Sequence, residues 1–404
     1  MTNPGQSENS AALIVRENEA IFQTYRRLPI AVGHADRCYI YDVEGRRYLD
    51  FLSGIAVNAL GHGHPRIISA VNMQTNRFMH LSNFFYQEPQ IRLAELLKKA
   101  SGYERVFFSN SGAESFEGSV KLARLWGAAH GKTDMLAFTG GFHGRTYGSL
   151  SLMDKPLYKN GMGPFLPNMG VIPFNDTVAL RAAVTERVCG VALEFLQGEG
   201  GIIPASTEFV ETLKALRKEH GFLIIADEVQ AGIGRTGTFF GFEQFDIRPD
   251  IVTTAKGLGG GLPLGAILTD DTVASLLQRG MHGTTYGGNA VACAAGAVVV
   301  DEVTNSLMEN VGKLGLYLRE RLLEKAAEFP QLIKEIRGQG FMQGIALNSE
   351  MPDFVELMLK RGVVSNITAG SVIRILPPLI AGKEEIDEFI VALRDVLTEK
   401  DKAA

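Results

Sequence analysis

The chain has 404 residues, of which 46% are hydrophobic and 21% charged, and this profile is typical of a globular protein with two or three domains. A net charge of -5 without a basic block argues against nucleic acid as a partner. Three distant cysteines argue against a disulfide framework, and polar first residues without a long apolar run predict a cytoplasmic protein with no signal peptide and no membrane span.

The first predicted element is a helix over 11–27, and a hairpin over Arg37–Asp50 that turns at Glu44 and Gly45 follows it. From residue 66 onward, short apolar runs alternate with amphipathic segments. The predicted strands are 105–108, 135–138, 188–195, 222–226 and 251–254, and the predicted helices between them include 114–129 and 207–218. This alternation indicates an α/β fold with a mostly parallel sheet that helices cover on both faces.

The pattern of short apolar runs ends at residue 302. Long, charged predicted helices follow, and then predicted strands at 341–347 and 371–376. We expect this C-terminal part and the N-terminal segment to form one smaller α+β domain together. The predicted division is therefore 1–65 and 303–404 for the small domain, and 66–302 for the large domain.

Lys256 follows the predicted strand 251–254 after Ala255, and four of the next five residues are glycines. A lysine is costly to bury unless it is paired or does chemistry. Asp227 stands at the corresponding end of strand 222–226, although many such aspartates only cap a helix or face solvent. In open α/β sheets ligands bind beyond the carboxyl ends of the strands, so both side chains should meet there. A reactive lysine and a carboxylate for a ring nitrogen are the pair that pyridoxal phosphate needs.

Three further loops lie at strand ends in the same predicted sheet. Ser109–Glu114 opens onto a helix, whose free N–H groups bind phosphate, although serine and asparagine are also plain helix caps. Gly140–Thr146 places an aromatic ring and Arg145 between glycines; arginine binds carboxylates through two hydrogen bonds, but Arg145 could equally form a surface ion pair. Gln197–Gly201 places Glu199 in a glycine loop.

Two other motifs do not indicate a binding site. Gly232–Gly237 matches G-x-G-x-x-G, but it neither starts directly at a strand end nor precedes a predicted helix, so a dinucleotide site is rejected. His62 and His64 lack a cluster of cysteines or acids beside them, so a polar turn is favoured and no metal site is predicted.

The sequence resembles the class III aminotransferases, which are pyridoxal phosphate enzymes of fold type I. The resemblance covers about residues 25–376 and rests on SNSGAES (109–115), FHGRT (142–146), ADEVQAGIGRTG (226–237), AKGLGGGLPLGA (255–266) and HGTTYGGN (282–289). One departure is Glu194-Phe195, where the family usually has Glu-Pro, and this puts the local turn in doubt. The resemblance implies a large domain with a mostly parallel seven-stranded sheet, the small domain described above and a homodimer with shared sites.

The resemblance also implies roles for individual residues. Lys256 and Asp227 are the implied catalytic residues. The implied cofactor-binding residues are Ser111, Gly112 and Ala113 at the phosphate, Phe142 and His143 at the ring, Asp227 at the pyridine nitrogen, Gln230 at the phenolic oxygen, Lys256, and Thr285 of the other subunit. Arg145, Glu199, Arg374 and Thr284 are the implied substrate-binding residues, and Glu199 is implied to pair with Arg374 while the donor is bound.

The implied reaction moves a terminal amino group to 2-oxoglutarate, with N2-acetylornithine as the leading donor. Ornithine, succinylornithine, succinyldiaminopimelate and 4-aminobutyrate remain open as donors. A mutase or decarboxylase on the same cofactor, or a homologue that binds the cofactor without catalysis, is disfavoured by the presence of Lys256, Asp227, Glu199 and Arg374.

Overall fold

A computed structural model describes residues 9–402 of the chain. Its strands are β1 (Val32–Asp36), β2 (Tyr39–Asp42), β3 (Arg47–Asp50), β4 (Arg105–Ser109), β5 (Asp134–Phe138), β6 (Met169–Ile172), β7 (Val188–Leu193), β8 (Leu196–Gln197), β9 (Ile203–Pro204), β10 (Leu223–Asp227), β11 (Ile251–Thr254), β12 (Gly265–Thr269), β13 (Ile333–Gln339), β14 (Met342–Leu347), β15 (Val363–Val364), β16 (Asn366–Thr368) and β17 (Val372–Ile375). Its helices are α1 (Ser10–Ala20), α2 (Ser53–Ala56), α3 (Pro65–Arg77), α4 (Glu88–Ser101), α5 (Gly112–Ala129), α6 (Tyr147–Ser151), α7 (Pro156–Lys159), α8 (Thr177–Ala183), α9 (Thr207–His220), α10 (Asp271–Ala274), α11 (Ala290–Glu302), α12 (Met308–Glu328), α13 (Phe354–Lys360) and α14 (Lys383–Asp401).

The central sheet has seven strands in the order β4-β12-β11-β10-β7-β5-β6. Only β12 is antiparallel to its neighbours β11 and β4, so the other six strands point the same way. Every residue of β7, β10, β11 and β12 is buried, as expected for strands that are covered on both faces. The predicted mostly parallel α/β sheet is confirmed, and the carboxyl ends of its six parallel strands meet at one edge.

Two smaller sheets involve the two ends of the chain. The first has the order β1-β2-β3-β15, in which the C-terminal strand β15 runs parallel to the N-terminal strand β3. The second has the order β13-β14-β17-β16 and contains both strands that were predicted in the C-terminal part. The pairing of β3 with β15 supports a small domain built from both chain ends. The exact boundaries of this domain stay a prediction.

Two sequence predictions were too long. The helix predicted over 11–27 ends at Ala20, because Ile21 adopts an extended conformation and α1 buries none of its residues, so no packing stabilises a further turn. The strand predicted over 188–195 ends at Leu193, and Glu194 and Phe195 lead into the short β8–β9 pair. Phe195 is fully buried and its ring contacts Phe242 and Phe245, so the chain turns here without the proline that the family usually has.

One helical stretch in the described part of the chain, Ala290–Glu328, is long and apolar enough by length and composition to cross a membrane. Its apolar part is α11, which packs between α3 and α4 and has mostly buried residues. A core helix of a globular protein passes the same test, so this stretch is weak evidence for a membrane span.

Candidate active site

One cavity of about 490 Å³ lies at the edge where the parallel strands end. Its walls include nine of the residues that were singled out in the sequence, namely Ser111, Gly112, Ala113, Phe142, His143, Arg145, Asp227, Gln230 and Lys256. These residues come from four loops that are far apart in the sequence. The structure therefore brings the predicted phosphate loop, aromatic loop, carboxylate and lysine into one site.

Lys256 follows β11 at the start of a 3-10 turn, and its backbone φ of 43° lies in the left-handed region. A non-glycine residue in this conformation costs on the order of 1–3 kcal/mol, and such strain clusters at functional sites. Burial lowers the pKa of the Lys256 amine, and the positive charge of Arg374 lowers it further, against the opposing effect of the carboxylates of Asp227, Glu194 and Glu199. The site therefore favours the uncharged, nucleophilic amine.

Asp227 ends β10, and its side chain is almost completely buried. One carboxylate oxygen accepts the backbone N–H of Val229 at 3.1 Å, and the other lies 2.7 Å from Nδ1 of His143. The His143 ring is buried and stacks on Phe116 with 4.4 Å between ring centroids. Burial lowers the pKa of His143, but the hydrogen bond and the charge of Asp227 outweigh burial and raise the pKa above its usual value. His143 therefore lies against Asp227 as its hydrogen-bond partner.

The N-terminus of α5 forms another wall of the cavity. Ser111 is the N-cap of this helix, and its hydroxyl accepts the N–H of Glu114 at 3.2 Å. A Cβ on Gly112 would lie only 2.7 Å from a methyl group of Val229, so the chain can approach Val229 this closely only with glycine. The first N–H groups of an α-helix have no partner within the helix, and here they border the cavity that holds Lys256.

Arg374 and Glu199 form an ion pair beside the cavity. Arg374 lies on β17 and is almost completely buried, and its guanidinium also donates to Gln230 Oε1 at 3.3 Å and to Asn366 Oδ1 at 3.2 Å. Burial raises the pKa of Glu199, but the charge of Arg374 and its hydrogen bond outweigh burial and leave the pKa below its usual value. Gln230 connects this pair to the cavity, since it lines the cavity and contacts Arg374.

Glu194 is a buried residue of the cavity wall for which the sequence predicted no role. Its two carboxylate oxygens accept the N–H of Phe142 at 2.9 Å and the N–H of Gly198 at 3.0 Å. It therefore ties the aromatic loop to the loop that carries Glu199. Burial and the charge of Asp227 raise its pKa to about 7. The sequence signal for Glu194 was its position. It is an acid that directly follows β7, just as Asp227 is an acid at the end of β10.

Thr284 and Thr285 lie outside this cavity. Both line a second, more open cavity of about 940 Å³, where the Thr284 hydroxyl lies 3.1 Å from Asn110 Nδ2. Thr285 is exposed, as are the large side chains Phe84 and Tyr86 nearby, whose exposed fractions are 93% and 99%. Within one chain the structure therefore leaves Thr285 apart from Lys256.

The sequence model of the class-III aminotransferase family matches residues 21–397. The chain belongs to the class III aminotransferases. The predicted resemblance is thus confirmed, and with it the activity of a transaminase that uses pyridoxal phosphate.

Relatives within the aminotransferase family are similar over nearly their full length. The acetylornithine aminotransferase of Aquifex aeolicus is 43% identical, over 93% of this chain and 99% of the relative. A crystal structure of the acetylornithine aminotransferase of Elizabethkingia anophelis has a TM-score of 0.86 at 31% identity, covering 97% of this chain and all of the other. The ornithine aminotransferase of Toxoplasma gondii, with pyridoxal phosphate at partial occupancy in its active site, has a TM-score of 0.93 at 28% identity over 98% of this chain and 95% of its own.

The residues of this aminotransferase fit the cofactor. The cavity joins a helix N-terminus for a phosphate, an aromatic face at Phe142, a buried carboxylate and an amine of lowered pKa. The side chain of Asp227 is an acceptor that suits a protonated ring nitrogen, and Gln230 can donate to a phenolic oxygen.

Proposed function

We propose that the chain transfers the terminal amino group of N2-acetylornithine to 2-oxoglutarate, which yields N-acetylglutamate 5-semialdehyde and glutamate. The observation that carries this proposal is the arrangement of two arginines at one cavity, in which Glu199 pairs with Arg374 while Arg145 stays exposed at the mouth. The names of the relatives in Aquifex and Elizabethkingia support the same donor. A place in arginine biosynthesis follows from this reaction.

In this proposal Lys256 is the covalent attachment point of the cofactor and then the proton carrier. Bound pyridoxal phosphate supplies an electron-withdrawing ring that stabilises negative charge at the donor carbon. The Lys256 amine would take the proton from that carbon and return it to the cofactor, as general base and acid. Asp227 would hold a positive charge at the ring nitrogen, with its orientation fixed by the contact to His143. Ser111, Gly112 and Ala113 would hold the phosphate, Phe142 would cover the ring face, and Gln230 would contact the phenolic oxygen.

Donor and acceptor must use this site in turn, although their carboxylates lie at different distances from the reacting atom. The amine that leaves acetylornithine is far from the donor's α-carboxylate, whereas the keto group of 2-oxoglutarate is adjacent to its own α-carboxylate. Arg145 therefore binds the donor at the far end, and Arg374 binds the acceptor near the reacting carbon. Glu199 masks Arg374 while the donor is bound, because a free Arg374 would attract the donor in the wrong orientation.

Replacing each arginine by alanine is expected to damage opposite half-reactions. Loss of a charged hydrogen-bond partner costs roughly 1.5–3 kcal/mol, which is about ten- to a hundredfold. Arg145→Ala should slow the half-reaction with acetylornithine by that factor and largely spare glutamate, and Arg374→Ala should do the reverse. Glu199→Gln should slow acetylornithine and spare glutamate. Single-turnover absorbance of the bound cofactor with each amine alone measures these rates.

Equal loss of both half-reactions in both arginine variants would contradict the two-anchor scheme. A panel of amino donors with 2-oxoglutarate as acceptor tests the donor itself, since it includes ornithine, succinylornithine, succinyldiaminopimelate and 4-aminobutyrate. Preference of the wild type for 4-aminobutyrate, which has no α-carboxylate at a distal acylated end, would contradict the acetylornithine assignment while leaving the family unaffected.

We also propose that the protein is a homodimer in which Thr285 of one subunit contacts the cofactor phosphate in the other, with Thr284 close to the substrate. The exposed aromatic side chains Phe84 and Tyr86 support this proposal, because they lie next to the Thr285 loop: Asn83 Nδ2 donates to the carbonyls of Thr284 and Gly287, both at 3.2 Å. Large exposed apolar patches mark interaction sites. A cytoplasmic location is proposed too, and the three free, buried cysteines are compatible with it.

A mixed dimer of Lys256→Ala and Thr285→Ala subunits tests this sharing. If Thr285 acts across the interface, one site in the mixed dimer has native Lys256 and native Thr285, and the other site lacks both. We therefore expect that at limiting pyridoxal phosphate the mixed dimer keeps about half the wild-type activity, although the Thr285→Ala homodimer binds the cofactor about ten- to a hundredfold more weakly. Cofactor titration of the purified mixed dimer measures this, and binding as weak as in the Thr285→Ala homodimer would show that Thr285 acts within its own chain.

A further inference from the structure

Tyr158 contacts two residues of the site, Phe142 and Arg145, and has no role in the proposed function. It lies on α7, and its ring meets Phe142 edge-on with 5.9 Å between centroids. The guanidinium carbon of Arg145 lies 3.6 Å from the centroid of the Tyr158 ring, which is face-to-face contact, and 5.6 Å from the centroid of Phe142. Tyr158 therefore packs against both Phe142 and the exposed Arg145.

Arg145 forms no ion pair with any residue in the described part of the chain, 9–402, and aromatic rings are its contacts there. A guanidinium that stacks with its flat face on a ring uses none of its N–H groups in that contact. The five N–H donors remain available at its edge, in the fork that matches a carboxylate. Stacking on Tyr158 thus restricts a long, exposed side chain without occupying the groups that would bind an anion.

The Tyr158 ring is itself held in place. Lys155 Nζ donates to the Tyr158 hydroxyl at 3.1 Å. Asp154 joins the segment around α7 to the aromatic loop, since it accepts the N–H of Gly140 at 3.1 Å, and Lys159 Nζ donates to the Met153 carbonyl at 2.7 Å within that segment. These bonds hold the segment that carries the ring over which Arg145 lies.

We propose that Tyr158 is a positioning residue that determines donor specificity, because its ring holds the Arg145 guanidinium with its N–H edge toward the distal carboxylate of the amino donor. The inference rests on the proposed function, in which Arg145 binds that carboxylate. It predicts a site for the class of donors whose reacting amine is terminal and whose α-carboxylate lies at the other end of the molecule. Glutamate and 2-oxoglutarate are anchored through their α-carboxylates at Arg374, so their reactions should depend on Tyr158 less than the reaction of such a donor.

Binding of an unreactive donor analogue to the holoenzyme separates positioning from chemistry. N2-acetyl-L-norvaline has the acylated α-carboxylate end of acetylornithine but lacks the terminal amine. A cation–ring contact at an exposed site corresponds to about a two- to fivefold change in affinity, so Tyr158→Leu should raise the Kd of the analogue by that factor. The matched variant Tyr158→Phe keeps the ring and loses only the bond to Lys155, so its Kd should stay at the wild-type value. In Tyr158→Leu the glutamate half-reaction should change less than the binding of the analogue.

A double-mutant cycle shows whether the effect passes through Arg145. In the Arg145→Ala background, Tyr158→Leu should not weaken the analogue any further, whereas a general loosening of the loop would add to the loss. Should Tyr158→Leu fail to fold, Tyr158→Met provides an apolar side chain without a ring face for the same comparison.

The outcomes separate this inference from the proposed function. If Arg145→Ala leaves analogue binding unchanged, both the distal anchor and the role of Tyr158 are wrong. If Arg145→Ala weakens the analogue but Tyr158→Leu weakens it no more than Tyr158→Phe, only the role of Tyr158 is wrong. Equal losses for the analogue and for glutamate in Tyr158→Leu would likewise overturn it, and selective loss for the analogue with no further loss in the double variant would support it.

Discussion

Lys256→Ala is expected to abolish measurable transamination while the protein still folds. A positioned general base contributes about 10²–10⁴-fold to rate, and this variant also loses the covalent attachment of the cofactor, so the loss should reach at least that range. Single-turnover rates with acetylornithine and with glutamate should fall together, because both half-reactions need the same proton carrier.

Lys256→Arg is the matched control for side-chain length. Arginine is a long side chain like lysine, but it stays protonated in proteins and cannot act as a base, so it should be as inactive as alanine. Peptide mapping after borohydride reduction of the wild-type holoenzyme gives a readout that does not depend on activity, and the mass of the cofactor should be found on Lys256. A label on another lysine, or substantial turnover by either variant, would contradict the assignment.

Asp227→Ala should lower both half-reactions by about 10²–10³-fold, the scale on which a preorganised electrostatic partner is lost. The carboxylate is buried beside the cavity, so water replaces it poorly, and the ring nitrogen of the cofactor would lose its counter-charge. Asp227→Asn keeps the size of the side chain and can still accept the Val229 N–H, but it removes the charge. We expect Asn to be nearly as damaging as Ala, and near-normal rates in Asp227→Asn would remove the charge of Asp227 from the mechanism.

The neighbouring Glu228 provides a control for the loss of a buried carboxylate that does not line the cavity. It is as deeply buried as Asp227, and its oxygens accept the N–H groups of Gly241 at 2.7 Å and Phe242 at 2.9 Å, away from the cavity wall. Glu228→Gln removes an acceptor from those N–H groups, so it should lower the melting temperature while leaving the half-reactions within about threefold of wild type. Losses of rate as large as those in Asp227→Asn would mean that any buried acid in this turn affects turnover through the fold.

The sequence predicted the order of elements better than their ends. Hydrophobic runs identify β10 and β11 directly, because a strand that is covered on both faces needs apolar residues throughout. The end of α1 depended on packing, since 11–27 has helix-like spacing but α1 buries no residue that would stabilise further turns. The sequence after the G-x-G-x-x-G motif at 232–237 did not predict a helix, and the structure has only a short 3-10 turn at Gly241–Gln244, and no α-helix, between this motif and β11.

The sequence motifs by themselves determined the family and, with it, the cofactor. They also placed reactive residue types at the strand ends, which meet at one edge of a parallel sheet whatever the loop lengths are. The tertiary structure decided the contacts: the pairing of Glu199 with Arg374, 175 residues apart, was implied only by the resemblance, and the contact of His143 with Asp227, 84 residues apart, was not predicted. The contacts of Tyr158 and the double hydrogen bonding of Glu194 likewise arise where separate loops pack together, since partners across such distances are chosen by the fold and not by sequence spacing.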